Sequence, residues 1–246
     1  MKVISTITAS LLIGSVTGLL GGVAVSPDGA YQDRRLQQKR YVTGIRQTND
    51  IKSDADFSYC GGALIMCLRR WRRDDGNDGE MIEISSIHGH PNYNNKSYVN
   101  NFAVLKLAKE VQDDIKPLKL PIPVTKIQPG MWGKVMGWGS SVAYGPFSEV
   151  LLKLDQQLMS DEDCQIRIGI TAFDMTYMCA GGEANKSPCT GDAGGPLIFE
   201  NPEGDGDDVL IGLVTKSMYP CGAEGYPTLY SRVSSVYDWI KTTIKA

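Results

Sequence analysis

The sequence predicts an all-β protein. Short apolar runs of strand length alternate with turn signals along most of the chain. Twenty-seven glycines and twelve prolines are spread through the 246 residues, which favours turn-rich β structure over helix bundles. A single segment, the C-terminus, shows helical spacing. Apolar residues make up 42% and charged residues 22%, as in a packed globule rather than a disordered chain. The net charge of −3 argues against nucleic-acid binding by a general positive field.

In chain order, residues 1–24 read as a secretory signal. Lys2 supplies the positive start, an apolar run rich in Ser, Thr and Gly follows to Val25, and small residues near Gly22 and Ala24 place the cut around Ala24. A membrane anchor competes for the same run, which is about long enough to span a bilayer. Its N-terminal position, its glycines and the basic segment behind it favour a cleaved signal. No second apolar run of spanning length follows, so a secreted, extracellular protein without a membrane anchor is expected. Residues 25–40 lack apolar periodicity and end in Arg34, Arg35, Lys39 and Arg40, the pattern of a propeptide with basic cutting sites. The remainder, 41–246, carries 20 basic and 26 acidic residues.

Strand-length apolar runs fall at 63–66, 102–107, 133–138, 196–199 and 209–214. The acidic stretch 200–208 reads as a loop between two of them. At the C-terminus, Ser234 or Ser235 is placed to cap a helix whose Val236, Trp239, Ile240 and Ile244 share one face. No internal repeat or interdomain linker follows residue 41. Cys60, Cys67, Cys164, Cys179, Cys189 and Cys221 are an even set in a secreted chain, so disulfides are the default. There is no Cys-x-x-Cys pair, and no metal or other cofactor is expected. Asn95-Lys96-Ser97 and Asn185-Lys186-Ser187 are glycosylation acceptors, the second weakened by Pro188.

Several motifs occur in a diagnostic order. Cys189-Thr190-Gly191-Asp192-Ala193-Gly194-Gly195-Pro196 resembles the Gly-Asp-Ser-Gly-Gly-Pro nucleophile loop of trypsin-like serine proteases. Cys60-Gly61-Gly62-Ala63-Leu64-Ile65, His90-Pro91-Asn92-Tyr93, Ala103-Val104-Leu105-Lys106-Leu107, Gly137-Trp138-Gly139 and the run from Gly225 to Val233 resemble further family segments. So do Tyr237-Asp238-Trp239-Ile240 and the junction Arg40, Tyr41-Val42-Thr43-Gly44, where the family has Arg before Ile-Val-Gly-Gly. The resemblance spans 41–246. It implies two packed antiparallel Greek-key β-barrels of the trypsin type with a C-terminal helix.

The family's chemistry needs a serine nucleophile, a histidine base and a buried carboxylate. The resemblance puts Ala193 at the nucleophile position and Asn101 at the carboxylate position. A methyl group cannot attack a carbonyl, and an amide carries no charge to stabilise an imidazolium. The histidine-bearing Ala-Ala-His-Cys turn is absent, because Ile65-Met66 runs directly into Cys67. The only histidines, His88 and His90, read as ordinary strand-end residues, and Thr190 has no evident base. Gly191 keeps the oxyanion position. By resemblance, Asp192 would pair with a new N-terminus at Tyr41, and Ser187 replaces the aspartate that holds a basic side chain. Thr215-Lys216-Ser217 replaces the Ser-Trp-Gly pocket wall, so a narrowed or closed substrate pocket is expected.

The family pairs Cys164 with Cys179, Cys189 with Cys221, and would pair Cys60 with Cys67. An extended seven-residue run reaches roughly 23 Å, beyond the ~7 Å that a disulfide spans between Cα atoms, so that last pair needs the chain to fold back. The first barrel is expected to be shortened. Arg69-Arg70-Trp71-Arg72-Arg73 reads as a solvated loop balanced by Asp74, Asp75, Asp78 and Glu80, with an acidic partner as the competing reading. The acidic run 74–80 falls near the family's calcium loop without a recognisable ligand spacing. Glu203, Asp205, Asp207 and Asp208 form a second exposed acidic loop.

These readings converge on a monomeric pseudoprotease retained for binding another protein. The overall pattern resembles mite group 3 allergen trypsins and the inactivated protease paralogues of the scabies mite, which implies complement inhibition. The competing readings are a weakly active protease with a rebuilt site, an arthropod immune-cascade cofactor, and a decayed product.

Overall fold

The computed structural model describes residues 84–108, 117–122, 125–143, 145–148, 151–169, 174–202, 207–218 and 220–245, and the backbone of four short strands at 10–13, 22–24, 42–45 and 60–66. The strands are β1 (Ser10–Ile13), β2 (Gly22–Ala24), β3 (Val42–Ile45), β4 (Cys60–Met66), β5 (Ile84–Gly89), β6 (Ala103–Leu107), β7 (Trp132–Gly137), β8 (Leu152–Gln157), β9 (Tyr177–Ala180), β10 (Ser187–Cys189), β11 (Pro196–Phe199), β12 (Val209–Lys216) and β13 (Thr228–Arg232). Two helices, α1 (Asp161–Ile168) and α2 (Tyr237–Lys245), join them. The all-β expectation holds.

Six strands form one antiparallel sheet in the order β8-β7-β11-β12-β13-β9. Its edges meet: Leu158 bridges Ala180, and the Gly181 amide donates to the Gln157 carbonyl at 3.0 Å. That closure turns the sheet into a barrel and removes its open edges. Inside it pack Val135, Leu154, Met178, Leu197, Ile211, Val214 and Tyr230. The first sheet has five strands in the order β3-β4-β1-β6-β5. Its β6 is buried almost throughout, and Phe102, Val104 and Leu105 pack with Met136, Ile198, Leu210, Leu213 and Ile240 in a core shared with the second barrel.

Central strand β12 serves both cores. Leu210 and Leu213 face the shared core while Ile211 and Val214 face the barrel interior. A register shift opposite Leu197 and Ile198 resets the alternation between them. Burial on both faces explains the unbroken apolar run that β12 shows in the sequence.

Two strands lie within the residues assigned to the leader. β1 sits in the middle of the first sheet, with Leu11 opposite Leu64 on β4 and opposite Leu105 on β6. β2 pairs with β10, Gly22 opposite Cys189 and Ala24 opposite Ser187. The expected propeptide, 25–40, lies outside the described residues.

Two helix expectations also change. The C-terminal helix is present, but Val233–Val236 enters it as a 3-10 turn, and the Ser235 hydroxyl donates to the Arg232 carbonyl at 2.6 Å instead of capping amides. α1 was not anticipated. Ser160 caps it by accepting from the Asp163 amide at 3.0 Å, three acidic residues fill its first turn, and Gly169 ends it in the left-handed region at φ 71°.

Candidate functional site

The nucleophile loop follows β10 and leads into β11. Backbone contacts hold it. The Gly194 amide donates to the Val214 carbonyl at 2.7 Å, the Val214 amide to Gly195 at 2.9 Å, and the Gly195 amide to Asp192 at 2.7 Å. Gly191 has φ 105°, and a Cβ there would stand 2.7 Å from the Phe147 ring, so only glycine fits the oxyanion position. Ala193 is 6% exposed and contributes a methyl group where the attacking oxygen would be.

Asp192 is the one fully buried carboxylate of this loop. Its Oδ1 accepts from the Gly139 amide at 2.9 Å, and its Oδ2 has no hydrogen-bond partner among the described residues. Burial pushes its pKa up to about 7. Gly137 gives it room, since a Cβ at 137 would lie 1.7 Å from Oδ1.

Asn101 sits just before β6 and is 1% exposed. A chain of hydroxyls ties it to the second barrel: Ser231 Oγ donates to the Asn101 carbonyl at 3.2 Å, and Ser231 Oγ and Thr215 Oγ1 lie 2.7 Å apart. This chain of hydroxyls ends on β12 at Thr215, and the Gly194 amide, next to Ala193, donates to Val214 of the same strand. A cavity of about 760 Å³ opens beside Asn101, lined also by Gly89, His90, Tyr93, Asn94, Asn95, Lys96 and Phe102. Among the described residues, no carboxylate lines it. It can hold polar groups by amide hydrogen bonding, but it has no anionic partner for an imidazolium.

Neither histidine supplies a base to the nucleophile loop. His90 stacks edge-on against Trp239 of α2 with ring centroids 4.8 Å apart, and partial burial lowers its pKa. His88 Nε2 lies 2.9 Å from Ser86 Oγ on the same strand. Thr190 is half-buried, and its carbonyl accepts from the Ser140 amide.

At the positions that the family resemblance assigns to the substrate pocket, short polar side chains lie close together. Ser187 is 4% exposed, and its Oγ lies 3.2 Å from Thr228 Oγ1, which is 3.5 Å from Ser217 Oγ. Lys216 points none of its charge inward, because it is exposed at the end of β12. Next to them, β2 pairs with β10.

The disulfides Cys164–Cys179 and Cys189–Cys221 are both formed, with Cα atoms 5.5 and 5.4 Å apart. β4 is one extended strand from Cys60 to Met66. Cys67, the other half of the Cys60–Cys67 bridge considered from the sequence, lies outside the described residues. Tyr41, the cluster 69–73, the acidic run 74–80, Glu203 and Asp205 also lie outside them. Asp207 is exposed and pairs with Lys119, whereas Asp208 is buried, its carboxylate accepting from the Asn201 amide at 2.7 Å. That corrects the expectation of a wholly exposed acidic loop. Asn95 is exposed. Asn185 is exposed too, at φ 60°, but Ser187 of its acceptor triplet is buried.

Sequence reasoning missed Phe147, whose ring lies against Gly191. It also missed the buried pair in which the Tyr230 hydroxyl donates to Gln156. Neither residue lies in a recognisable motif. Among the described residues there is no cluster suited to a metal ion, and no helix is long and apolar enough to cross a membrane.

Comparison with known proteins agrees with this geometry. The trypsin family profile matches residues 66–240. Glucanase inhibitor protein 2 of Phytophthora sojae is 38% identical over 100% of this chain and 89% of its own length. Glucanase inhibitor protein 3 of the same species is 35% identical over 100% of both, and glucanase inhibitor protein 2 of Phytophthora infestans is 35% identical over 100% of this chain and 99% of its own.

Proposed function

Because the chain belongs to the trypsin family, we propose that it is a secreted, proteolytically inert relative that binds and inhibits a glucanase. The observation that carries the reading is Ala193, buried in an otherwise intact nucleophile loop. Loss of the triad as a unit costs on the order of a millionfold in turnover in subtilisin. The Gly191 amide cannot restore useful proteolysis alone, and the neutral Asn101 removes the charge that would support a base. The loop's backbone is nevertheless held by main-chain hydrogen bonds, which supports a scaffold that presents an ordered surface to a partner.

The relatives' names direct the target to a glucanase, in place of the complement proteins and the mite paralogues suggested by the sequence. The close Ser187–Thr228 pair supports contact by surface loops over insertion of a basic side chain. We read the active form as a monomer.

The test titrates purified protein against a β-glucanase while following release of reducing sugar, and assays the same sample on fluorogenic peptides. The expected result is stoichiometric loss of glucanase rate with no peptide cleavage. Unchanged glucanase activity across a panel of such enzymes overturns the inhibitor reading. Peptide cleavage that persists in the presence of trypsin inhibitors revives a rebuilt protease site.

A further inference from the structure

The chain holds two acceptor triplets for N-linked sugar, Asn95-Lys96-Ser97 and Asn185-Lys186-Ser187, and the fold treats them unequally. The first lies on the loop between β5 and β6. Asn94 Oδ1 accepts from the Lys96 amide at 2.9 Å and from the Ser97 amide at 3.2 Å, and the Tyr98 amide donates to the Asn94 carbonyl at 2.7 Å. The Tyr177 hydroxyl donates to the Ser97 carbonyl. These bonds fix the main chain on both sides of Asn95, while Asn95, Lys96 and Ser97 all stay exposed. The Asn95 side chain takes no part in them.

The second triplet runs into the protein. Asn185 sits at φ 60°, its amide donates to the Gly222 carbonyl at 2.8 Å, and a Cβ at Gly222 would stand 2.8 Å from its Cα. The hydroxyl of the triplet belongs to Ser187, which is 4% exposed on β10, and Pro188 follows directly. A sugar on Asn185 would start beside that tight backbone contact, with the rest of its triplet sealed in the barrel.

Asn95 also borders the cavity of about 760 Å³ beside Asn101, together with His90, Tyr93, Asn94 and Lys96. Its mouth mixes aromatic rings with amides, surfaces against which a sugar can set its C–H faces and its hydroxyls in turn.

We propose that Asn95, alone of the two acceptors, carries an N-linked glycan, and that this glycan roofs the cavity beside Asn101. In the transfer, Asn95 Nδ2 bonds the anomeric carbon of an oligosaccharide carried on a polyprenyl pyrophosphate. The bond from that carbon to the pyrophosphate oxygen breaks, the lipid pyrophosphate leaves with the electron pair, and Nδ2 gives up one proton. The glycan then withdraws this face from those open to a protein partner and directs a glucanase to other loops. The proposal rests on the secreted reading above, because the lipid-linked donor is met on the export route.

The experiment secretes the full chain from a eukaryotic host and maps its glycopeptides by mass spectrometry before and after treatment with peptide N-glycosidase. A second culture carries a proven export leader ahead of Met1, so that Asn95 is read even where the chain's own amino terminus does not direct export. Failure of the first culture alone counts against the secreted reading and not against the glycan. The expected result is sugar on the peptide holding Asn95, its loss in Asn95→Gln and its retention in Asn185→Gln. Unmodified Asn95 in a host that glycosylates a control protein, or sugar on Asn185, overturns the assignment. Roofing is read from acylation of the Lys96 amine, which should be severalfold slower in the glycosylated protein than in Asn95→Gln. Equal rates overturn the roof even if Asn95 is modified. If Asn95→Gln is not secreted, endoglycosidase-trimmed protein, left with one sugar on Asn95, takes its place in that comparison.

Discussion

The two sheets have fared differently. The second is a closed six-stranded barrel with both disulfides, its glycines in place and its nucleophile loop fully hydrogen-bonded. The first holds five strands, one of them drawn from the amino-terminal segment, and its sequence lacks the histidine-bearing turn. The residues that the family resemblance puts at catalytic positions fall one beside each sheet, Asn101 just before β6 and Ala193 just before β11. Among the described residues, the second sheet closes on itself, while the first is described as five strands.

The comparison can be broken by damaging the second barrel where it is tightest. Gly137→Ala places a methyl group 1.7 Å from Asp192 Oδ1 and should cost about 3 kcal/mol or more, read as a lower denaturant midpoint. Ile240→Ala, at a fully buried α2 position in the shared core, should cost about 2–5 kcal/mol and loosen both sheets together. A fall of the second barrel's signal alone, followed by hydrogen exchange, would show that the core is not shared.

Opening the disulfides should have graded effects. Chain-entropy arguments give ~3.7 kcal/mol for the 32-residue Cys189–Cys221 loop and ~3 kcal/mol for the 15-residue Cys164–Cys179 loop. Paired Cys→Ser variants compared by thermal unfolding check the order.

The pH dependence of stability sharpens the comparison further, because Asp192 is buried in the nucleophile loop of the second barrel. The described groups around Asp192 are the Gly139 amide and the Tyr230 phenol. Its folded pKa, raised to about 7, lies above the unfolded value. Stability should therefore rise as pH falls through 7 and level off near 4. The smallest effect belongs to the exposed Lys119–Asp207 pair, where Asp207→Asn should change stability by no more than ~0.5 kcal/mol.

Much of the second barrel was legible in the sequence because its strands are apolar runs bounded by glycine and proline. β12 stood out because both its faces are buried. α1 was not read, although Ser160 and Gly169 mark its ends; its mean polarity hides it, as only Cys164 is buried. The Ser235 cap failed because a 3-10 turn consumes the residues that a cap would need. Among site residues, Ala193, Asn101 and Asp192 follow from motif position. Phe147 and the Tyr230–Gln156 pair depend on long-range packing that no local pattern encodes.

The loop around position 193 is shaped by main-chain groups of Val214, Gly194, Gly195 and Asp192. The side chain at 193 takes no part in those bonds. Exchanging a hydroxymethyl for a methyl there deletes the reaction while leaving the surface contour unaltered. In this architecture the main chain sets the shape of the loop, and the side chain at 193 can change without disturbing the bonds that hold it.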